Sequence, residues 1–502
     1  MSGKVIDLER ESQIGRVFSG ALWLYLSTIV SNLQGFFFWM IISRLGGGEI
    51  VGILSVVVGL SSLVGGLVNL GINTGLSRFT GYCLGIDENP RKCATEYLWT
   101  ASIFSLLVYT MGSLTILAIG YFFPGAYGYS RSMMLFAAIF NLFSFLGSFS
   151  SFLQSALQTK RIFLSVIISV AIKFILGISL FKLGFGWKGV AVGYMMNSLL
   201  QGMINAAQSL RIAELHPTFS VDRLKELLRA GIPSWAPGLI STVGQWMGIL
   251  VLYGSIGSLE TGAYYIASQL SNVVIMISNA MNGLLLPVLS GMSDGRKRTG
   301  ARVFRLSLAL MMPIGVFVMI YPKLFLTLFG EDLSAGWPAL TILLLSSPLV
   351  AYTSFVTSLL YAYGDYSSIF WGGTFTNLPR VFLYFIFAPM LGGTGVAITT
   401  VIGTIMGTLY FYERAKKANV FFDRRSLIIV LSVPYSIGLL LYLSKLSWIY
   451  GMLLLSLSYV LYIKLKIITL SDLREIGRAL LGKERASALY TRLKPILEPL
   501  LE

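Results

Sequence analysis

The chain has 502 residues, of which 55% are hydrophobic and 12% charged, and its formal net charge is +16. A soluble globular domain carries about a quarter charged residues, so this composition excludes a soluble fold. Apolar runs of roughly 20 residues, long enough to cross a bilayer as helices, recur along the chain, whereas a membrane barrel requires short alternating strands of about ten residues. The sequence therefore predicts an all-α polytopic membrane protein.

Fourteen membrane-spanning helices are predicted, after a charged lead-in of residues 1–16. The predicted spans are 17–43, 50–77, 97–121, 133–157, 162–181, 189–210, 232–254, 262–290, 303–328, 338–362, 367–388, 394–412, 426–443 and 447–466. They form an N-lobe of six helices over 17–212, a C-lobe of six helices over 232–414, and an additional helix pair over 415–468. A linker with an interfacial helix occupies 213–231, and residues 469–502 are predicted to form an amphipathic tail on the cytoplasmic side.

The two lobes are predicted to be copies of one unit, because a stretch near the start of the chain returns near residue 231. The matching positions are Gly20 and Gly231, Gln34 and Gln245, Glu49 and Glu260, Gly52 and Gly262, and further on Gly189 and Gly395. Each copy contains an even number of helices, so both copies enter the membrane from the same side. Such parallel repeats are related by an axis along the membrane normal, and a substrate path is expected between them.

The distribution of basic residues predicts the orientation of the chain. With these spans, thirty of the 38 Lys and Arg residues fall on the side that carries both termini, and six fall on the other. The positive-inside rule therefore predicts cytoplasmic termini. The same distribution accounts for the net charge, so no nucleic-acid partner is expected. Cys83 and Cys93 fall in a predicted cytoplasmic loop, where we expect reduced thiols, and no metal site is expected because no further Cys or His cluster accompanies them.

Two ionisable residues fall near the middle of predicted spans, and both are cations, Lys173 and Arg380. A charge at the bilayer centre costs at least about 2.5 to 3.5 kcal/mol on insertion scales, so such residues usually face a water-filled cavity. One interpretation is that both line a cavity and bind an anion, because Arg and Lys suit phosphate groups. The other is that Lys173 reaches the outer interface and Arg380 bonds backbone groups freed by Pro379.

Four further residues are candidates for substrate contacts. Arg78 lies at the cytoplasmic end of the second span, as part of a basic ring at the cavity mouth or as an ordinary anchor, and Arg44 lies at the outer end of the first. Gln34 and Gln245 are paired by the repeat, and their amides suit either sugar hydroxyls or neighbouring helices. No Asp or Glu falls in the middle of a span, which disfavours an antiporter driven by protons or sodium.

The segment Gly20–Gly81 resembles the start of prokaryotic oligosaccharide flippases of the O-antigen or polysaccharide type. The resemblance rests on Ser43, Arg44, Leu45 and Gly46, then Glu49 and Gly52, then Asn69, Leu70, Gly71, Ile72, Arg78 and Phe79, together with fourteen helices in a six, six, two arrangement. These flippases belong to the multidrug, oligosaccharidyl-lipid and polysaccharide exporter superfamily.

The resemblance implies a transporter of the prokaryotic cytoplasmic membrane that flips a polyprenyl-pyrophosphate-linked oligosaccharide from the inner to the outer leaflet by alternating access. It implies a cationic central cavity, and Lys173 and Arg380 fit that role. Membrane lipids and other membrane proteins of polysaccharide assembly are the expected partners.

Two alternatives remain at this stage. One is a multidrug or solute antiporter of the same fold. The other is a membrane glycosyltransferase or ligase, disfavoured because no outer loop is long enough to hold an acid and base pair. We therefore expect a transporter with no catalytic residue and no cofactor.

Overall fold

The computed structural model describes residues 2–86, 88–123, 128–291, 296–419 and 423–469. Within these ranges the regular structure is helical, as the apolar composition requires, because a helix satisfies all its backbone hydrogen bonds internally. The α-helices are α1 (Ser2–Val68), α2 (Ile72–Ile86), α3 (Pro90–Phe122), α4 (Arg131–Phe143), α5 (Gly147–Ser155), α6 (Thr159–Leu180), α7 (Gly186–Ser209), α8 (Val221–Ser255), α9 (Ser258–Gly291), α10 (Arg296–Ile320), α11 (Pro322–Leu326), α12 (Trp337–Leu345), α13 (Ser347–Tyr363), α14 (Tyr366–Lys417), α15 (Arg424–Ser444) and α16 (Trp448–Lys464). The predicted tail beyond Thr469 lies outside the described residues.

Glycines divide the longest helices into membrane-length arms. Gly47 (φ 75°) interrupts α1 and Gly392 (φ 58°) interrupts α14, while Gly184 and Gly186 separate α6 from α7. The pair α12 and α13 forms one span bent by 45° at Ser346. With α4 and α5 also counted as one span, and α2 as the continuation of the second arm of α1, the described ranges contain fourteen spans. The predicted fold class is thereby confirmed.

Several predicted boundaries differ from the structure. The second span was expected to run unbroken over 50–77, but α1 ends at Val68 and α2 begins at Ile72. Leu70 (φ 49°) and Gly71 (φ 74°) adopt left-handed conformations there, which no helix interior contains. The interfacial helix expected before the seventh span is continuous with it, because α8 runs from Val221 to Ser255 through two prolines.

The chain folds into two compact units, each with its own internal contacts. The first contains the chain up to Ile266 together with Leu328–Ala335 and Arg380–Val396. The second contains Ala267–Thr327, Gly336–Pro379 and the described chain from Ala397. The predicted site residues all belong to the first unit. The division into N-lobe and C-lobe at the predicted boundaries remains a prediction.

Backbone conformation supports the internal repeat. Gly186 (φ 56°, ψ −140°) and Gly392 (φ 58°, ψ −141°) are 206 residues apart, the same offset that relates Gly189 to Gly395, and their backbone dihedral angles agree within 2°. A Cβ at Gly189 would lie 2.9 Å from the carbonyl carbon of Leu180, and a Cβ at Gly395 would lie 2.0 Å from a backbone oxygen of α14. Both glycines therefore let one helix fold back tightly on the preceding one.

A second repeat pair makes a reciprocal contact within the first unit. A Cβ at Gly52 would lie 1.9 Å from the carbonyl oxygen of Ser258, and a Cβ at Gly262 would lie 2.1 Å from the carbonyl oxygen of Gly48. The second arm of α1 and the start of α9 therefore cross with their backbones in contact. Only glycine permits such an approach at these two positions.

The expectation of reduced cysteines is wrong for this structure. Cys83 near the end of α2 and Cys93 in the first turn of α3 form a disulfide, with 5.6 Å between their Cα atoms. Both side chains are buried in a cluster that joins α2, α3 and Leu227 of α8. A reducing cytosol predicts free thiols, whereas the packing of α2 on α3 brings the two sulfur atoms together. Disulfides do occur in some intracellular proteins, chiefly of hyperthermophiles.

The segment that precedes α8 is docked on α3. The indole of Trp99 donates to the carbonyl of Glu214 at 2.9 Å, and the amide of Glu214 donates to Thr95 at 2.9 Å. The guanidinium of Arg223 in the first turn of α8 lies 3.3 Å from Glu96 and 3.5 Å from Glu226. This cation is therefore neutralised by two carboxylates.

Candidate functional site

Lys173 lies at the centre of the candidate site, on α6, with its side chain fully buried. Its ammonium donates a hydrogen bond of 3.0 Å to Oε1 of Gln34 on α1. The same nitrogen lies 4.1 Å from the ring centroid of Phe38 and 3.7 Å from that of Tyr194. We call Phe38 and Tyr194 the aromatic cage. An aromatic face attracts a cation, by about 2 kcal/mol or more where water is excluded.

Local sequence explains how the cage forms. Gln34 and Phe38 are four residues apart on α1, so their side chains share one helix face. Tyr194 on α7 reaches Lys173 because α6 and α7 pack with glycine against glycine. A Cβ at Gly193 would lie 2.7 Å from the backbone of Gly177. The close approach of these two helices places the Tyr194 ring against the ammonium.

The charge of Lys173 is not neutralised by a carboxylate in the described part of the chain. The ion pairs found there are those of Arg223 with Glu96 and Glu226, and of Lys225 with Asp222. A buried ammonium held only by an amide oxygen and two rings retains most of its desolvation cost. A site of this kind favours an anion that can approach the ammonium.

Arg380 lies on the first arm of α14 and is half-buried. One turn later on the same helix, the buried hydroxyl of Tyr384 donates to the carbonyl of Gly244 on α8 at 3.1 Å. Gly244 immediately precedes Gln245, whose side chain is exposed. The Tyr384 bond therefore holds the helix of Arg380 against the helix of Gln245.

The two glutamines that the repeat pairs, Gln34 and Gln245, have different surroundings in this structure. Gln34 is half-buried and bonds Lys173, whereas Gln245 is exposed on α8. Among the predicted site residues, Lys173 and Gln34 are joined by a hydrogen bond within the described part of the chain. Of the two remaining candidates, Arg44 lies near the end of the first arm of α1, and Arg78 lies in the middle of α2.

Arg78 is exposed on α2, with its guanidinium carbon 6.0 Å from the ring centroid of the adjacent Phe79. Phe79 in turn stacks on Tyr97 of α3 with ring centroids 4.9 Å apart. Arg44 is exposed near the end of the first arm of α1, and its Nε donates to the carbonyl of Leu328 at 2.7 Å. Arg44 therefore anchors the segment that begins at Leu328.

Two carboxylates, which the sequence did not identify, accept hydrogen bonds from backbone amides at the starts of helical arms. Asp332 accepts a hydrogen bond of 2.6 Å from the amide of Gly48, and Glu260 accepts one of 3.0 Å from the amide of Gly393. Each amide belongs to the first residue after a glycine break. A carboxylate is favourable there because the first amides of a helix have no partner within it.

Sequence reasoning also missed the aromatic cage. Phe38 and Tyr194 are two of many aromatic residues in apolar spans, and nothing in their immediate sequence marks them. The spacing of Phe38 from Gln34 was an available signal, because it places both on the same face of α1. The position of Tyr194 depends on how α6 and α7 pack, which spacing alone does not give.

These observations define a multi-pass, all-α membrane protein with a buried cation. A profile of a family described as polysaccharide biosynthesis protein matches residues 50–337, more than half of the chain. The chain therefore belongs to this polysaccharide biosynthesis family.

Individual proteins resemble the chain at lower identity. Probable flippase AglR of Haloferax volcanii is 24% identical over 347 residues, which cover 66% of this chain and 71% of that protein. The structure of lipid II flippase MurJ in an inward closed conformation matches with a TM-score of 0.66 at 16% identity, covering 86% of this chain and 98% of that one. An inward-facing multidrug resistance MATE family transporter of the MOP superfamily matches with a TM-score of 0.57 at 18% identity, covering 76% and 95%. The structural likenesses establish a shared fold.

Proposed function

We propose that the protein flips a lipid-linked oligosaccharide across the prokaryotic cytoplasmic membrane, with a polyprenyl pyrophosphate as the lipid. Family membership and the likeness to a probable flippase support this function. The structural observation that carries it is the buried ammonium of Lys173, which the described residues do not neutralise. A pyrophosphate supplies the missing negative charge, and its oxygens accept hydrogen bonds from an ammonium or a guanidinium.

In this mechanism the headgroup takes the place of Gln34 at Lys173. The ammonium is covered by Gln34 and the aromatic cage, so the Gln34 amide must release it before a phosphate oxygen can bind. The released amide is then available to a sugar hydroxyl. Arg380 supplies a second cation as a planar fork suited to phosphate. The lipid tail stays in the bilayer while the headgroup crosses.

The proposed direction of transport is from the inner to the outer leaflet, as the resemblance to oligosaccharide flippases implies. The basic loops and both termini are placed in the cytoplasm by the positive-inside rule. Alternating access then requires that the binding site open to each side in turn. The product would serve assembly of a cell-surface polysaccharide or glycan, and the protein acts as a transporter without catalysing bond formation.

The test is flipping of a fluorescent polyprenyl-pyrophosphate oligosaccharide in proteoliposomes. Lys173→Gln/Arg380→Gln should abolish flipping. The matched control is Lys182→Gln/Lys188→Gln, which removes two exposed cations near the junction of α6 and α7 and should retain activity. Normal flipping by the Lys173 and Arg380 variant would refute the site. Absence of flipping by the wild-type protein, with several glycans and ion gradients, would refute the function.

Multidrug antiport is the alternative for this fold. In the described spans, Glu49 and Glu260 lie beside glycine breaks at helix ends, where a coupling cation at the membrane centre would not reach them. Growth of a drug-sensitive host on cationic dyes distinguishes the alternatives. We expect no protection by this protein.

A further inference from the structure

The segment Leu328–Ala335, which we call the strap, connects α11 to α12. It belongs to the first compact unit, although the residues on either side of it, Thr327 and Gly336, belong to the second. The proposed orientation places the strap at the outer surface of the membrane, together with the break in α1 at Gly47. The strap therefore makes its contacts away from the two helices that it connects.

Two hydrogen bonds attach the strap to α1. The Nε atom of Arg44 donates to the carbonyl of Leu328 at 2.7 Å, and the amide of Gly48 donates to the carboxylate of Asp332 at 2.6 Å. Arg44 precedes the break at Gly47, and Gly48 follows it. The strap is therefore bonded to both arms of α1, one bond on each side of the break.

Two apolar side chains of the strap are buried between and beside these hydrogen bonds. Phe329 is 1% exposed and packs edge-on against Phe36 of α1, with ring centroids 5.1 Å apart. Leu333 is fully buried, and a Cβ at Gly48 would lie 2.6 Å from its Cδ2 atom. Burial of these two side chains favours the attached position of the strap.

The strap is bonded to α1 at the point where the two copies of the repeat meet. A Cβ at Gly262 of α9 would lie 2.1 Å from the carbonyl oxygen of Gly48, and the amide of Gly48 is the donor to Asp332. Gly48 therefore contacts α9 through its carbonyl and the strap through its amide. Movement of α9 away from α1 would open this contact beside the strap.

The other copy of the repeat has a corresponding contact. Tyr129 precedes α4 as the strap precedes α12, and each of these helices begins the fourth span of its copy. The hydroxyl of Tyr129 donates to the carbonyl of Leu250 on α8 at 2.7 Å, and its ring stacks on Tyr253 with centroids 5.6 Å apart. The repeat pairs α8 with α1. In each copy, the residues before the fourth span are thus attached to the first helix of the other copy.

We propose that the strap and the Tyr129 contact together form the outer gate of the transporter. Alternating access requires contacts that are made while the site is closed to one side and broken when it opens to that side. Both attachments must be released before the headgroup can leave toward the outer leaflet. Arg44 is then a positioning residue that anchors the strap. This inference rests on the proposed function, because it names the contacts that close its outer side.

The experiment measures how fast a cysteine in the strap reacts with a maleimide. The full-length protein is held in lipid nanodiscs without substrate, and its native cysteines are joined in a disulfide. The strap reporter is Leu333→Cys, because Leu333 is fully buried while the strap is attached. The α3 reporter is Leu98→Cys, at a position that is equally buried. Local release of the strap exposes the first reporter alone, whereas general loosening of the fold exposes both.

The strap variant is Arg44→Ala/Asp332→Ala, which removes both hydrogen bonds between the strap and α1. We expect it to increase the labelling rate of the strap reporter about tenfold and to leave the α3 reporter unchanged. The matched control is Lys323→Ala/Glu331→Ala, which removes one exposed cation and one exposed carboxylate from the same region. It should change labelling of the strap reporter by less than about twofold.

Tyr129→Phe provides a second test if the strap variant does not fold. It removes one hydroxyl and keeps the ring that stacks on Tyr253. Because both contacts close the same gate, we expect it to increase labelling of the strap reporter about fivefold.

Three outcomes would overturn the gate: equal labelling in the strap and control variants, equal acceleration of both reporters, or no effect of Tyr129→Phe. Labelling needs no substrate, so its result is independent of the flipping assay. Faster labelling of the strap variant, with no flipping by the wild-type protein, would support the gate and reject the proposed function. Flipping by the wild-type protein, with equal labelling in the strap and control variants, would reject the gate alone.

Discussion

The hydrogen bond between Lys173 and Gln34 predicts that these two side chains are energetically coupled. Gln34→Leu removes the acceptor while keeping a side chain of similar size, so the buried ammonium retains only the aromatic cage. A hydrogen bond to a charged group contributes about 1.5 to 3 kcal/mol, so we expect the free energy of unfolding to fall by about 2 kcal/mol. In a Lys173→Met background there is no ammonium, and the same substitution should change that free energy by less than about 0.5 kcal/mol.

The four proteins of this cycle can be compared by reversible unfolding in mixed detergent micelles. Gln245→Leu is the matched control, because the repeat pairs Gln245 with Gln34 while the structure leaves its side chain exposed. It should change the free energy of unfolding by less than about 0.5 kcal/mol. If Gln34→Leu were equally destabilising with and without the Lys173 ammonium, the amide would not be stabilising that charge, and the proposed release step at Gln34 would be wrong.

Three further predictions concern stability. Gly52→Ala places a Cβ 1.9 Å from a carbonyl oxygen of α9, so we expect a lower melting temperature than for Gly35→Ala, whose Cβ meets nothing within 4 Å; equal melting temperatures would refute the close crossing. Asp365→Ala removes the side-chain cap of α14 and should cost about 1 kcal/mol at neutral pH. A hydrogen bond from Ser368 lowers the pKa of Asp365, so the stabilisation by this cap should be complete above the ordinary carboxyl pKa and should disappear as the pH falls through the lowered pKa. If Asp365→Ala still destabilised the protein at pH 2, this assignment would be wrong. Loss of the disulfide in Cys83→Ser/Cys93→Ser should cost about 3 kcal/mol in oxidised protein, and the variant should melt like the reduced wild type.

Much of the fold could be predicted because the bilayer imposes length and polarity on each span. Apolar runs located the fourteen spans, and matched glycines such as Gly189 and Gly395 located the repeat that the backbone angles now support. The breaks at Leu70 and Gly71 were missed, because an apolar run contains no signal for a left-handed residue in its interior. The continuity of α8 through Pro233 was missed for the opposite reason, since a membrane helix tolerates proline that would end a soluble one.

The candidate site could be predicted only where charge marks it. Lys173 stood out because a cation in the middle of a span is rare, and the same argument identified Arg380. What surrounds Lys173 depends on contacts between distant segments: Phe38 is 135 positions before it along the printed sequence, and Tyr194 belongs to the following helix. The disulfide between Cys83 and Cys93 likewise depends on the packing of α2 on α3, which the expected reducing compartment did not predict.

The reciprocal crossing at Gly52 and Gly262 has a consequence for the ancestry of the chain. Gly52 lies against the carbonyl four residues before Gly262, and Gly262 lies against the carbonyl four residues before Gly52, so the same contact is made twice about a pseudo-twofold axis. This is the isologous interface of a symmetric dimer, in which one surface patch binds its own copy. A half-length protein carrying a single repeat could therefore have assembled through this contact before gene fusion joined two copies. In the present chain the same steric requirement applies at both positions, so a side chain at either glycine would disrupt the crossing.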